Sequence, residues 1–188
     1  MNPTFTLAPA TTADVLAVLE IINHAKAFLK AAGSTQWQSG YPNADTITTD
    51  IANEVGWVLK ADHQVVGYAA VIVGEDPNYQ EIDGAWQNTT APYATIHRIA
   101  ISNQYRGQHL GQRFFKLIID HFAGGGVHNF RVDTFKLNQP MQHVAKSAGF
   151  EYRGIIKVVD PVDPARLAFE LNLEEVRTNL LSINYRSS

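Results

Sequence analysis

The stretch from residue 95 to residue 122 constrains the fold more than any other part of the chain. Residues 95–101, ending in Ile99-Ala100-Ile101, form a run rich in β-branched residues, which predicts a strand. Leu110, Phe114, Leu117, Ile118 and Phe122 then recur on one face of a helix. Between the two lies Ser102 to His109, with Gly107 inside it. A strand that turns directly into a helix offers the free N–H groups of the first helical turn, and the positive end of the helix dipole, to an anion. Gly107 and Gly111 would let the backbone come close to such a group, and Arg106 adds a positive charge. The run 104–112 therefore fits a pyrophosphate. A plainer reading, a tight turn and close helix packing without a ligand, fits the same glycines. Two other phosphate loops are ruled out, because neither Gly-x4-Gly-Lys-Ser/Thr nor Gly-x-Gly-x-x-Gly occurs.

The rest of the pattern predicts a mixed α/β domain. Residues 7–10 read as a short strand, and Thr11 with Asp14 as a capping-box variant opening a helix that Gly33 stops. Residues 34–43 read as a loop and 45–53 as a short helix. Residues 56–60 and 65–73 form a hairpin pattern around Ala61-Asp62-His63-Gln64. Residues 75–92, with Pro, Gly, Asn and Asp throughout, read as a long irregular crossing. After the helix ended by Gly124-Gly125-Gly126 come a strand at 130–135, a helix at 140–147 and a closing pair of strands at 152–158 and 166–172. Residues 1–173 are expected to form one domain, with 174–188 as a C-terminal extension, at best an accessory helix.

Composition narrows the functions open to such a domain. A formal charge of −3 gives no general attraction to nucleic acid or anionic lipid, so neither partner is expected. There are no cysteines, which excludes disulfides, thiolate metal sites and a Cys nucleophile. The seven histidines form no His-Glu-x-x-His or comparable cluster, so no metal is expected. Met-Asn-Pro-Thr-Phe-Thr lacks the basic start and apolar core of a secretory signal, and the apolar run 68–73 is too short to cross a bilayer. A cytoplasmic location is expected.

The run 96–115, followed by 138–150, resembles the GNAT superfamily of N-acetyltransferases. The family's pyrophosphate loop reads Arg/Gln-x-x-Gly-x-Gly/Ala; here Arg106 and Gly111 match it, with His109 where the first Gly is usual. Asn138, Met141 and Gly149-Phe150 match the family's Asn-containing helix and its Gly-Phe end. Gln36-Trp37-Gln38, Gly40-Tyr41-Pro42, Ile96-His97-Arg98-Ile99-Ala100 and Gly154-Ile155-Ile156 look like a bacterial group within the family whose substrates are mostly unassigned. The resemblance implies a central, mostly antiparallel sheet flanked by helices. It also implies acetyl-CoA as co-substrate and acetyl transfer to a primary amine of a small molecule, peptide or protein by direct attack on the thioester. Ile99, Ala100 and Ile101 would hold the pantetheine arm. Arg106, Gly107, Gln108, His109, Leu110, Gly111 and Gln112 would cradle the pyrophosphate, and Asn138 would hold the arm from the other side. A homodimer, through an exposed strand or the C-terminal tail, is compatible with the sequence.

The chemistry needs a neutral amine, a donor to the developing oxyanion and a proton for the departing thiolate. Many family members carry a Tyr acid seven residues beyond the helix Asn, where this chain has Ala145. His97 is the candidate base, since imidazole titrates near neutrality; a hydrogen bond to the 75–92 loop is its structural alternative. Asp133 could orient a base or meet a cationic amine, but pairing with Arg98 or Arg131 is the preferred reading. Trp37, Tyr41 and Tyr93, with Tyr79 and Trp86, are candidates for an acceptor pocket. Glu81 and Asp83 could attract a cationic acceptor or simply keep an exposed loop soluble. Two other readings stay open. One is a CoA-binding sensor or degenerate module without turnover, suggested by His109 and Ala145; the other is an O-acyltransferase.

Overall fold

In the N-terminal third, local signals set the helices. Asp14 accepts hydrogen bonds from both the backbone N–H and the hydroxyl of Thr11, at 2.8 Å each, and this fixes the turn that launches α1 (Val15–Ala31). The side chain of Asn43 likewise accepts from the Thr46 N–H at 3.0 Å and starts α2 (Ala44–Ala52). Val18, Ile21, Ile22 and Leu29 form the buried stripe of α1.

The computed structural model describes residues 3–105 and 109–173. Its eight strands are β1 (Phe5–Pro9), β2 (Gly56–Ala61), β3 (Gln64–Val73), β4 (Asp83–Gly84), β5 (Tyr93–Ile101), β6 (Asn129–Thr134), β7 (Glu151–Lys157) and β8 (Ala165–Asn172). They form one sheet in the order β1-β2-β3-β5-β6-β8-β7-β4. Every pairing is antiparallel except β5 with β6. Two further helices, α3 (Leu110–Gly124) and α4 (Gln139–Ser147), cover one face of the sheet together. The first half of the other face is covered by α1 and α2. The second half of that face has no α-helix among the described residues; there the 75–92 segment packs Tyr79, Ile82 and Trp86 onto Ile156 and Ala168.

The α3 side holds the larger core, in which Leu110, Phe114, Phe115, Ile118 and Ile119 of the helix meet Leu59, Ala69, Val71, Ala94, Ile96, Phe130 and Phe169 of the sheet. Each large side chain buried there contributes about 1.5–3 kcal/mol. The fully buried Phe114 and Phe115 thus anchor the helix that carries Gly111.

Strand and helix positions agree with the pattern read from the sequence, with two differences. The 75–92 crossing is more ordered than its composition implies: a 3-10 turn spans Pro77–Tyr79, and β4 pairs with β7 at the sheet edge. Two residues cannot show a strand period, and the pairing depends on distant glycines. A Cβ on Gly84 would lie 2.1 Å from the Arg153 carbonyl oxygen, and one on Gly154 would lie 2.2 Å from that of Asp83. The second difference lies at two strand starts: β5 begins at Tyr93 rather than Thr95, and β1 runs Phe5–Pro9 rather than 7–10. The 174–188 extension lies outside the described residues.

Candidate active site

The site begins where β5 and β6 part. Their parallel ladder has three rungs, Tyr93 to Asn129, Ala94 to Phe130 and Thr95 to Arg131. Beyond Thr95, β5 keeps β3 on one side and has no strand on the other among the described residues. One row of its backbone N–H and C=O groups is thereby left without a ladder partner. A bulge lies in the same stretch: Ala70 is opposite His97 and Tyr68 opposite Ala100, so β5 holds one residue more than β3 between those rungs. The extra residue re-phases the strand. Ala94 and Ile96 before it, and Ile99 and Ile101 after it, all pack toward α3, while Ala100 packs toward α1.

Arg98 takes up the bulge with φ +54°, a left-handed conformation that an arginine adopts only when its surroundings hold it there. Its Nε and Nη2 donate to the two carboxylate oxygens of Asp50 at 2.9 and 2.6 Å, and Nη1 donates to the Tyr41 hydroxyl at 2.6 Å. Tyr68 donates to the same carboxylate at 2.6 Å. Burial of Tyr41 and Tyr68 pushes both hydroxyls above the ordinary tyrosine value, so both remain protonated. Burial alone would weaken the Arg98 proton, but Tyr41 and Asp50 outweigh it and the guanidinium is held charged more firmly than usual. This network ties the bulge to α2 and to the 36–43 loop.

The gap between the strands opens into a cavity of about 1000 Å³. Ile99, Ala100, Ile101, Gly111 and Asn138, all expected to touch the cofactor, line it, with Phe115, Met141 and Val144. Leu110 does not line it; its side chain is 3% exposed and belongs to the core. Gln112 is half-buried outside the lining, and Arg106, Gly107 and Gln108 lie outside the described residues. Asn138 is the N-cap of α4: its Oδ1 accepts from the Met141 N–H at 3.2 Å and its Nδ2 donates to Gln36 Oε1 at 3.4 Å.

His109, the N-cap of α3, has φ +53° and ψ +28°. At the position where the family uses glycine, the histidine backbone thus sits in the left-handed region that glycine enters freely, at a cost of about 1–2 kcal/mol. Gly111 is required for a different reason. A Cβ there would come within 2.9 Å of Val144 Cγ2, so its absence lets α3 and α4 close on each other.

The other end of the cavity carries polar chemistry. His97 Nε2 lies 2.7 Å from Asp76 Oδ2. Burial would raise the Asp76 carboxyl, but hydrogen bonds from His97 and from the Asn78 N–H outweigh it and keep the group below the ordinary aspartate value, hence ionised. We therefore assign the Nε2–H tautomer to neutral His97, with the lone pair on Nδ1. Tyr79 donates to Asp133 Oδ1 at 2.6 Å, lies edge-on to His97 with ring centres 6.1 Å apart, and stacks on Trp86 at 5.5 Å. His97 is thus bonded to the 75–92 loop, as its structural alternative holds, and lines the cavity as well.

Trp37 and Tyr41 line the cavity, whereas Tyr93 does not. Tyr93 is 9% exposed, accepts a hydrogen bond from the Asp76 N–H, and stacks under Arg131 at 3.8 Å. The expected pairing of Asp133 with Arg98 or Arg131 is not found: Arg98 is bound to Asp50, and Arg131 faces Glu170 at 3.6 Å between Trp86 and Tyr93. Glu81 and Asp83 are exposed and outside the cavity lining. Ala145 is 1% exposed within the core, so that position supplies no acid. The reading from sequence passed over Asp76 and Asp50 entirely; each lies in an ordinary polar segment, far along the chain from its partner. Among the described residues no group of three or more His, Asp or Glu could hold a metal ion, and no helix is long and apolar enough to cross a membrane.

Comparison with known proteins gives a consistent result. The model of the acetyltransferase (GNAT) family matches residues 21–150. A GNAT-family acetyltransferase structure from Streptococcus agalactiae is 36% identical, with TM-score 0.82 over 92% of this chain and 97% of that one. Two more distant structures share the fold. The ribosomal-protein-S18-alanine N-acetyltransferase of Escherichia coli is 18% identical, with TM-score 0.62 over 90% of this chain and 94% of that one. A Salmonella typhimurium protein solved with its cofactor acetyl-CoA is 20% identical, with TM-score 0.62 over 91% of this chain and 95% of that one. A search of curated protein sequences gives no match. With its split sheet, β5 bulge and α3–α4 wall, and with these matches, the chain belongs to the GNAT family of acetyltransferases.

Proposed function

We propose that the chain transfers the acetyl group of acetyl-CoA to a primary amine of a small molecule, peptide or protein by direct attack on the thioester. One observation carries this reading: the cavity that runs along the unpaired edge of β5 also reaches a histidine already oriented by an ionised aspartate. When bound, acetyl-CoA supplies an activated acyl group. The free N–H and C=O groups of the β5 stretch 96–101 suit an extended pantetheine arm laid alongside as an added strand. Ile99, Ile101, Met141 and Val144 give that arm apolar walls, and the start of α3 suits the pyrophosphate. A backbone N–H of β5 polarises the thioester carbonyl.

The acceptor nitrogen, an ammonium near neutrality because an ordinary alkyl amine has a pKa of about 10, gives one of its three protons to Nδ1 of His97, with Asp76 holding the imidazole and stabilising its charge. The freed lone pair forms the C–N bond as the C–S bond is broken. The second nitrogen proton passes to the departing sulfur, whose ordinary thiol pKa of about 8.5 makes it a tolerable leaving group without a tyrosine acid.

A second reading, a CoA-binding protein without turnover, draws on the buried Ala145, which leaves the usual acid position empty of chemistry. Calorimetry with acetyl-CoA followed by thiol release over an acceptor panel separates the two. The panel includes alkyl amines, ribosomal-protein peptides with alanine, as suggested by the Escherichia coli structure, and alcohols. We expect binding and release with amines. Binding with no release on any acceptor favours the sensor, release with alcohols alone an O-acyltransferase, and absence of binding overturns all three.

A further inference from the structure

Residues paired across β5 and β6 share a face of the sheet, and Thr95 is paired with Arg131. The next residues on that face, one on each diverging strand, are His97 and Asp133. Both line the cavity, one on either side of the opening. Tyr79 connects them, with its hydroxyl on Asp133 Oδ1 at 2.6 Å and its ring edge-on to His97.

The charges at this end are unequally matched. Arg98 is bound to Asp50 and Arg166 to Asp160, each at 2.6 Å, and Asp76 has His97. Asp133 is in no ion pair among the described residues; the one hydrogen bond of its carboxylate there is from the neutral Tyr79 hydroxyl. Burial and the nearby Asp133 keep that hydroxyl protonated, so it occupies one carboxylate oxygen as a donor and leaves Oδ2 without a partner among the described residues. A half-buried carboxylate that faces a cavity and lacks a cation is a stable feature if the ligand brings the cation. Tyr41 and Trp37, which also line the cavity, suit the hydrocarbon portion of an amine.

We propose that Asp133 is a specificity residue that receives the acceptor as an alkylammonium ion, holding its positive charge beside His97 until the proton is removed. The substrate class that follows is a strongly basic alkyl amine, as opposed to a weakly basic amine that is neutral at the working pH. The inference rests on the amine-acceptor reading above and adds the charge state in which the amine is taken.

Asp133→Asn tests it, because the amide oxygen can still accept from Tyr79 while the charge is gone. For the wild-type protein with acetyl-CoA, kcat/KM is measured with butylamine and with aniline, which is neutral at pH 7.5. In D133N the butylamine-to-aniline ratio is expected to fall about 10- to 100-fold, the size of one charge-assisted hydrogen bond. Asp133→Glu is expected to recover a large part of the ratio, and acetyl-CoA affinity and the unfolding midpoint report whether the fold is intact. An unchanged ratio in D133N overturns the proposal. If the wild-type protein acetylates neither amine, calorimetry of butylamine into the CoA-saturated protein decides the matter. Binding that D133N weakens at least 10-fold supports the ammonium site while the transfer reading fails; binding indifferent to D133N, or none, overturns it.

Discussion

His97 has a defined division of labour between its two nitrogens. Nε2 meets Asp76, and Nδ1 has no hydrogen-bond partner among the described residues. If the ring is the base, His97→Gln lowers kcat/KM by about 100-fold or more and removes the fall in rate at acid pH, because glutamine cannot accept the proton. A pH–rate profile of the variant checks this; an acid limb that survives would assign the proton to another group. Arg98 makes the opposite kind of demand, since it stabilises the bulge without being a base. Both members of its pair with Asp50 are largely shielded from water, the side chains being 12% and 8% exposed. Asp50→Asn leaves a buried guanidinium without its anion and is expected to destabilise the fold by about 3–5 kcal/mol, read by urea unfolding. Bulge residue, cavity-lining Tyr41 and helix carboxylate share one network, so the damage should extend to the 36–43 wall of the cavity.

Between elements, the wall formed by α3 and α4 depends on one missing methyl group. Gly111→Ala would place a carbon 2.9 Å from Val144 Cγ2 and push the helices apart. Alanine favours a helix interior over glycine by up to about 1 kcal/mol, so the prediction is a contest between propensity and overpacking. Overpacking of about 1–3 kcal/mol is expected to win, giving a lower melting temperature and weaker acetyl-CoA binding by calorimetry. The Gly111→Ala/Val144→Ala double variant should recover both. A single variant more stable than the wild type would show that α4 gives way freely. The plainer reading of the glycines, close helix packing, therefore holds for Gly111 whether or not a phosphate lies in front of it. For β4 the same rule operates at the sheet edge, where Gly84 and Gly154 meet backbone to backbone.

For the molecule as a whole, stability should fall away at both ends of the pH scale. At Asp14, Asp76 and Asp160, burial is outweighed by hydrogen bonds and charges, and the carboxyls sit below their ordinary values. Their contribution is complete above the unfolded aspartate value of about 3.9 and is lost as the pH falls from there through the folded values. At Tyr41, Tyr68 and Tyr79 burial raises the hydroxyls. Their contribution is complete below the unfolded value of about 10 and is lost as the pH climbs beyond it. Urea midpoints at pH 3, 7 and 11 should therefore be highest at pH 7; equal midpoints at pH 7 and 11 would show that the tyrosines relax into solvent on ionising.

Local periodicity determined most of this architecture. The apolar stripe of α3, the hairpin of β2 and β3 and the caps at Thr11 and Asn43 are short-range effects, written in neighbouring residues. The turn into α3 was legible in the same way, as was the family resemblance carried by Arg106, Gly111, Asn138 and Gly149-Phe150. Tertiary structure alone decided where β5 leaves β6, that Arg98 takes a left-handed bulge, and which acid each cation meets. Asp50 and Arg98 are 48 residues apart, and Tyr79 and Asp133 are 54 apart. No periodicity links such residues, because their contacts depend on how distant segments cross in space. The sequence therefore predicted a turn before α3 that suits a pyrophosphate. Only the split sheet showed that His97 and Asp133 stand on the same face, one on either side of the cavity that would hold the amine.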